Sequence, residues 1–435
     1  MLSASSEFTI IELSLGFIMG SSLLEETVGD ALALYGDVVV VTVNVRVGAF
    51  GFMDLDIDAV TGNQQLYDIV EALRWTKYNA EAFGGDSNAI TVFAQSSGAM
   101  NVALLTANPN GERLFRRVIF QSGGPTIYEM FYEQNEKTIN KLLDQLECDG
   151  GSQMALFCLR SKTTEEIILA QKAIFDKVAT SFTPTAGDSL ISIMPADLMV
   201  GDFNSTLEPF SSIDAVLFGT NKDEASVVLH AVLPKIFEKD RVNLNFTTLS
   251  EMKEFIVKTF KMFVEFPESQ VAALVNTFFN EGPEVDTTEN LLQRLIDFAS
   301  DMAFLCPSKV LAEEIAKYDS RKPIFNYRFN YKSSAQKDLL WAGVSHNSEL
   351  PFVFGLPLKK PLLYNGVDIE ISKLMMRVWS SFAKTGNMLD INGLSWPRYD
   401  NEMQAYIDIG VKSEVGYKLH AKTCEMYKLG GELIS

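Results

Sequence analysis

Histidine is scarce in this chain: 435 residues carry three, His230, His346 and His420. Any reaction that needs an imidazole base must draw on one of them. Cationic side chains are also in deficit, 37 Lys and Arg against 56 Asp and Glu, giving a net charge of -19. Nucleic acid and anionic membranes attract basic faces, so neither is an expected partner. No run of about 18 uninterrupted apolar residues exists, so no transmembrane helix is expected. The opening Met1-Leu2-Ser3-Ala4-Ser5-Ser6-Glu7 lacks the basic start of a secretion signal, and Glu12 interrupts the apolar segment behind it. Repeats, low-complexity tracts and a clear linker are missing too. One domain over residues 1–435 with helical insertions is the economical reading.

What the chain does contain is a globular balance, 47% hydrophobic and 21% charged residues, with enough length for a large core. Asp37 to Val45 is a nearly unbroken β-branched run, the pattern of a strand buried on both faces of a parallel sheet. Leu66, Ile69, Val70 and Leu73 then recur at helical spacing, predicting an amphipathic helix that ends near Gly84-Gly85. Short apolar runs follow at Ile90–Phe93, Val118–Phe120, Ala215–Gly219, Ile324–Phe329 and Ala405–Ile409, the last read as the final strand. Helical patterns fill much of the space between, including about 250 to 318, where Asp286 and Glu289 form a capping-box pair, and about 370 to 385. Strand and helix in alternation predict an α/β fold with a mostly parallel sheet and right-handed crossovers.

One stretch suggests chemistry. Ala89-Ile90-Thr91-Val92-Phe93-Ala94-Gln95-Ser96-Ser97-Gly98-Ala99-Met100 is a β-prone run, a turn of small residues around one serine, and a helix-prone segment. Strand, tight turn and helix make a nucleophile elbow, which lifts a serine hydroxyl above the end of a sheet. The turn tolerates only small residues two before and two after the serine, here Ala94 and Gly98. By itself Ser-x-Gly after a strand is often an ordinary turn.

A serine nucleophile needs a base and a carboxylate that orients the base. In this fold the order is Ser, acid, His, each on a loop after a strand. His230 follows Val227-Val228-Leu229 and reads as a packed or surface histidine, and His420 lies in a Lys-rich terminal segment where a solvated role is expected. His346, in the loop Gly343-Val344-Ser345-His346-Asn347, is the best base. Asn221-Lys222-Asp223-Glu224 supplies the acid directly after a strand, and residue physics does not choose between Asp223 and Glu224.

With these residues in place the chain resembles the type-B carboxylesterase and cholinesterase family of α/β-hydrolases, from about Gly16 to Cys424. Gly36-Asp37-Val38 to Gly51-Phe52 is similar to the family's strand and turn ahead of a Gly62-Asn63 loop. Ala82-Phe83-Gly84-Gly85-Asp86 and Phe115-Arg116-Arg117 to Gln121-Ser122-Gly123 resemble two further signatures. His346 with Glu349 and Phe352-Val353-Phe354-Gly355-Leu356-Pro357 resembles the histidine loop. The resemblance implies an α/β-hydrolase fold, with a large mostly parallel sheet flanked by helices. It also implies a serine esterase acting on small to medium carboxylic esters with no metal or cofactor, and it selects Glu224 over Asp223. Ser96 is then the nucleophile, His346 the base, and Ser122 a residue close behind the triad. It further implies disulfides Cys148–Cys158 and Cys306–Cys424, hence an oxidising compartment, secreted or in the ER lumen. The sequons Asn204-Ser205-Thr206 and Asn245-Phe246-Thr247 fit a glycoprotein. A homo-oligomer is compatible with the chain.

The departures are specific. Family members usually begin with further strands, so the leading strands of the sheet are expected to be missing here. The family's His-Gly-Gly-Gly-type oxyanion loop appears as Leu13-Ser14-Leu15-Gly16-Phe17, leaving the Ser97 N–H and the Leu15-Gly16 backbone as donors. Gln95 stands where choline-hydrolysing members carry Glu, and Val227 and Val228 stand where they place aromatic rings that attract a quaternary ammonium. These residues favour a general carboxylesterase. The competing reading is a catalytically impaired cholinesterase-like adhesion or binding protein.

Overall fold

The computed structural model describes residues 9–14, 17, 20–22, 24–107, 112–124, 132–175, 182–188, 190–191, 208–260, 267–279, 286–337 and 339–434. Leu15, Gly16 and Asn204, with the roles expected for them, lie outside these residues. Among the described residues ten strands run in chain order: β1 Thr9–Ser14, β2 Val39–Thr42, β3 Asp54–Ile57, β4 Val60–Thr61, β5 Ile90–Gln95, β6 Arg117–Gln121, β7 Ala215–Asn221, β8 Ile324–Phe329, β9 Ala405–Ile409 and β10 Glu414–Tyr417. Among the described residues eight of them form one sheet in the order β10-β9-β8-β7-β6-β5-β1-β2, and β3 and β4 form a separate hairpin. Every neighbouring pair of the large sheet is parallel except β9 and β10.

The central strands are buried on both faces because successive side chains point to opposite sides. Phe93, Ile119, Leu217, Phe325 and Tyr327 face one core, with Met375, Trp379 and Phe382 of the helix Gly366–Thr385. Val92, Ala94, Val118, Phe120, Val216 and Phe218 face the other, with Ile69 and Leu73 of the helix Gln64–Asn79 and Ala99, Val102 and Ala103 of the helix Ser97–Ala107. The two inserted regions have cores of their own. One lies under helices Leu249–Phe260, Glu268–Phe278 and Thr288–Ser300, and the other joins Phe52 and Leu66 to Leu142, Ala155 and Ile167.

Four expectations change. The β-branched run from Asp37 is not an inner strand: only Val39–Thr42 pair, at the sheet edge, and all four are half-buried. Continuous branching reports affinity for a pleated surface and cannot tell an edge from the middle. Inside that edge lies β1, in register with both β2 and β5, so that Glu12 stands beside Thr42 and Phe93. That glutamate masked the strand in the sequence. β9 is not last, since β10 returns antiparallel to it. Finally, the helix Thr288–Ser300 is capped by Thr287, whose side chain accepts from the Asn290 N–H, while Asp286 accepts from the Thr287 N–H and the Asn290 side chain.

Candidate active site

Because β5, β6, β7 and β8 lie side by side and parallel, their C-terminal ends open on one side of the sheet, where crossover loops collect functional groups. At the end of β5 the chain turns at Ser96 with φ of 57°, the left-handed region a non-glycine residue enters only under constraint. Two backbone bonds hold it there: the Ser96 N–H donates to the Gln121 carbonyl at 2.9 Å, and its own carbonyl accepts from the Met100 N–H at 3.1 Å. Gly123 completes the seat, since a methyl group there would lie 2.4 Å from the Ser96 carbonyl oxygen. The helix Ser97–Ala107 starts at once, so Ser97 stands at the positive end of its dipole. This is the elbow the sequence predicts.

Glu224 sits three residues beyond β7 at the start of the helix Ala225–Val232 and is 1% exposed. Its Oε2 lies 2.6 Å from His346 Nδ1. Its Oε1 accepts from the Asn221 N–H at 2.6 Å and from the Ser122 hydroxyl. Ser122, expected close behind the triad, therefore touches Glu224 directly. With Oε1 filled by two donors, Oε2 is left for the imidazole. Asp223 does different work: Oδ2 accepts from the Val344 N–H at 2.8 Å and Oδ1 from the Gln293 amide at 2.8 Å. It ties down the backbone of the histidine loop, and the carboxylate that reaches the ring is that of Glu224.

His346 has a nearly buried side chain, 10% exposed. Phe304 lies against its ring with centroids 4.6 Å apart. Its second nitrogen, Nε2, faces the elbow, 3.1 Å from Nε2 of Gln95, the residue before Ser96. The structure thus joins Glu224 and His346 and turns the ring toward the serine turn.

Behind this pair lies a buried polar network that sequence reasoning missed. Glu349, fully buried, accepts from the Gln121 amide at 3.0 Å and the Asn221 amide at 2.5 Å, and Trp379 Nε1 donates to Gln121 Oε1 at 2.9 Å. Burial pushes the Glu349 carboxyl above the usual range and the neighbouring Glu224 adds to it, while the Asn221 bond opposes. Tyr327, also fully buried, is raised well above its ordinary value by burial and by the same two carboxyls. The resemblance had marked Glu349, but nothing in the spacing linked it to Gln121 or Trp379, which are 228 and 258 residues from their partners.

The other histidines are elsewhere. His230 Nδ1 meets the Phe237 carbonyl at 2.6 Å. His420 is exposed, as expected, but it is also paired: its Nδ1 lies 2.7 Å and 2.9 Å from the two carboxylate oxygens of Asp301. Burial pulls this imidazole down, but the Asp301 bond outweighs it and leaves it above the ordinary range. Both expected disulfides are present, Cys148–Cys158 and Cys306–Cys424. Asn245 is exposed beside the buried Phe246. No helix among the described residues is long and apolar enough to cross a membrane.

A strained serine elbow, a carboxylate–imidazole pair at the next strand ends, and a doubly covered parallel sheet define an α/β-hydrolase. Comparison with known proteins narrows this. Residues 14–427 match the model of the Carboxylesterase family, and the chain belongs to that family. It is 32% identical over 410 residues to acetylcholinesterase of Bungarus fasciatus, covering 91% of this chain and 64% of that protein. It is 31% identical over 428 residues to cholinesterase of Mus musculus, covering 95% and 68%. It is 30% identical over 412 residues to carboxylesterase 3B of Mus musculus, covering 92% and 67%. The chain spans about two thirds of the length of the curated relatives it matches.

Proposed function

We propose that the protein is a serine carboxylic-ester hydrolase acting through an acyl-enzyme on small to medium esters. The observation that carries this is the Glu224–His346 pair at 2.6 Å, buried and aimed at the elbow of Ser96. Ser96 Oγ attacks the ester carbonyl carbon as its proton passes to His346 Nε2. The resulting imidazolium is held by Glu224. Collapse of the tetrahedral intermediate expels the alcohol, which takes the proton back from Nε2. Water then repeats the sequence on the acyl-serine and releases the carboxylic acid. The Ser97 N–H and the Leu15-Gly16 backbone are the donors proposed for the oxyanion, and loss of one such donor costs about 10²–10³ in turnover.

The substrate proposed is a neutral ester. Val227 and Val228, on the helix that follows Glu224, carry no ring to attract a quaternary ammonium, and Gln95 brings no charge to the elbow. A secreted or luminal glycoprotein is proposed from the two disulfides, which persist in oxidising compartments, and from the exposed sequon at Asn245. The rival, a silent adhesion or binding protein, has no need of a pinned Glu224 and a shielded His346. Steady-state hydrolysis of p-nitrophenyl acetate and butyrate decides between them. Turnover lost in Ser96→Ala and His346→Gln supports the hydrolase, and equal rates in wild type and both variants refute it.

A further inference from the structure

We propose that Gln95 is a positioning residue: its side-chain amide caps Nε2 of His346, holding the ring in the tautomer with its proton on Nδ1, until the Ser96 hydroxyl takes that place. The proposal rests on the reading of Ser96, Glu224 and His346 as a hydrolytic triad, and it assigns the base a partner in the resting protein.

Three observations carry it. First, Gln95 Nε2 lies 3.1 Å from His346 Nε2. An amide nitrogen offers only hydrogens, so the ring nitrogen opposite must present its lone pair. Second, the other ring nitrogen has no freedom to exchange roles. Nδ1 faces Glu224 Oε2 at 2.6 Å, and that carboxylate is pinned through Oε1 by Ser122 and the Asn221 N–H. With Phe304 against its face, the imidazole is set in one plane and one tautomer. Third, Gln95 is the last residue of β5, 4% exposed and adjacent in the chain to Ser96. Its amide and the serine hydroxyl therefore compete for a single in-plane lone pair.

The charges around the ring give the cap its consequence. Glu224 touches the imidazole, Glu349 acts on it from behind Glu224, and Phe304 contributes no charge. Both carboxyls stabilise the imidazolium that forms when Ser96 gives up its proton, and in the resting protein the hydrogen bond donated to Nε2 fills the lone pair that the serine proton will take. After Ser96 gives up its proton, the same amide turned over presents Oε1, an acceptor, to the new N–H. Glutamine can thus serve both states of the base, whereas a carboxylate at position 95 would serve only the cation.

The test uses the full chain with ¹⁵N-labelled histidine, reading by NMR which ring nitrogen carries hydrogen. With three histidines, His346→Gln identifies the signal of interest. Gln95→Met keeps the volume and removes the bond; Gln95→Glu keeps the shape and sets an acceptor opposite Nε2. The expected result is hydrogen on Nδ1 alone in the wild type, loss of the hydrogen-bond shift at Nε2 in Gln95→Met, and hydrogen on Nε2 in Gln95→Glu. An Nε2 signal unchanged from wild type in Gln95→Glu overturns the proposal, and that isosteric variant decides alone should Gln95→Met not fold. A merely structural role lowers kcat and leaves the ring nitrogens as they were. Wild-type protein that fails to acylate Ser96 sinks the hydrolase reading instead, and the ring-nitrogen signals still judge the cap.

Discussion

Replacing Glu224 by Gln isolates the contribution of the acid, and the structure says which way the new amide must face. Oε1 receives two hydrogens, from the Ser122 hydroxyl and the Asn221 N–H. An amide NH₂ cannot occupy that side without setting donor against donor, so the variant keeps its oxygen there and turns its NH₂ toward His346 Nδ1. Nδ1 must then accept, its proton moves to Nε2, and the nitrogen facing the elbow no longer has a lone pair. The variant also loses the charge that stabilises the imidazolium. For charge centres about 4 Å apart at an effective dielectric of about 20, that attraction is about 4 kcal/mol, or roughly 10³ in rate. Wrong tautomer and lost charge together predict a fall of about 10³–10⁴ in kcat with little change in KM. The assay is steady-state hydrolysis of p-nitrophenyl acetate at pH 8, with circular dichroism to show that the variant is folded. A fall of less than about tenfold refutes the orientation argument, because either effect alone exceeds it.

Other outcomes follow from the same contacts. Ser122→Ala removes one of the donors to Glu224 Oε1 and is expected to cost about 1–3 kcal/mol, about five- to 150-fold in kcat/KM, without abolishing turnover. Unfolding in urea should separate the two disulfides. Cys306 and Cys424 close a loop with a sequence separation of 118, against 10 for Cys148 and Cys158. Chain entropy gives about 5 and about 3 kcal/mol, so Cys306→Ala with Cys424→Ala should destabilise more than the other pair. His420, held above its ordinary range by Asp301, stabilises the fold when protonated. Its contribution is full below the unfolded value of 6.5 and is lost as pH rises through the higher folded value. His420→Gln should therefore lower Tm at pH 5.5 and leave it nearly unchanged at pH 9; an equal loss at both would contradict the pairing.

The alternation of apolar runs and helical spacing carried most of the fold, because parallel strands buried on both faces leave long signals in the residues. It failed where burial is one-sided or a charge interrupts the run. Glu12 hid β1, and the valines from Val38 advertised a core strand at what is the sheet edge. For the site, Ser96 was legible because the elbow demands small neighbours in sequence, and His346 by elimination among three histidines. The choice of Glu224 over Asp223 came from resemblance; in the fold the Glu224 carboxylate, held by the Ser122 hydroxyl and the Asn221 N–H, is the one that touches the imidazole. The resemblance singles out Gln95 and Glu349 but not what they touch; those contacts, and that of Phe304, left no sequence signal, since they are made only when the strand ends meet.

Covalent trapping tests the central claim most directly. Folded wild-type protein incubated with a tagged fluorophosphonate should gain the mass of one phosphonyl group, mapped to Ser96. The adduct should be absent in Ser96→Ala and should form about 10³-fold more slowly in Glu224→Gln. Folded protein that gains no adduct, or gains it at another residue, would contradict the account.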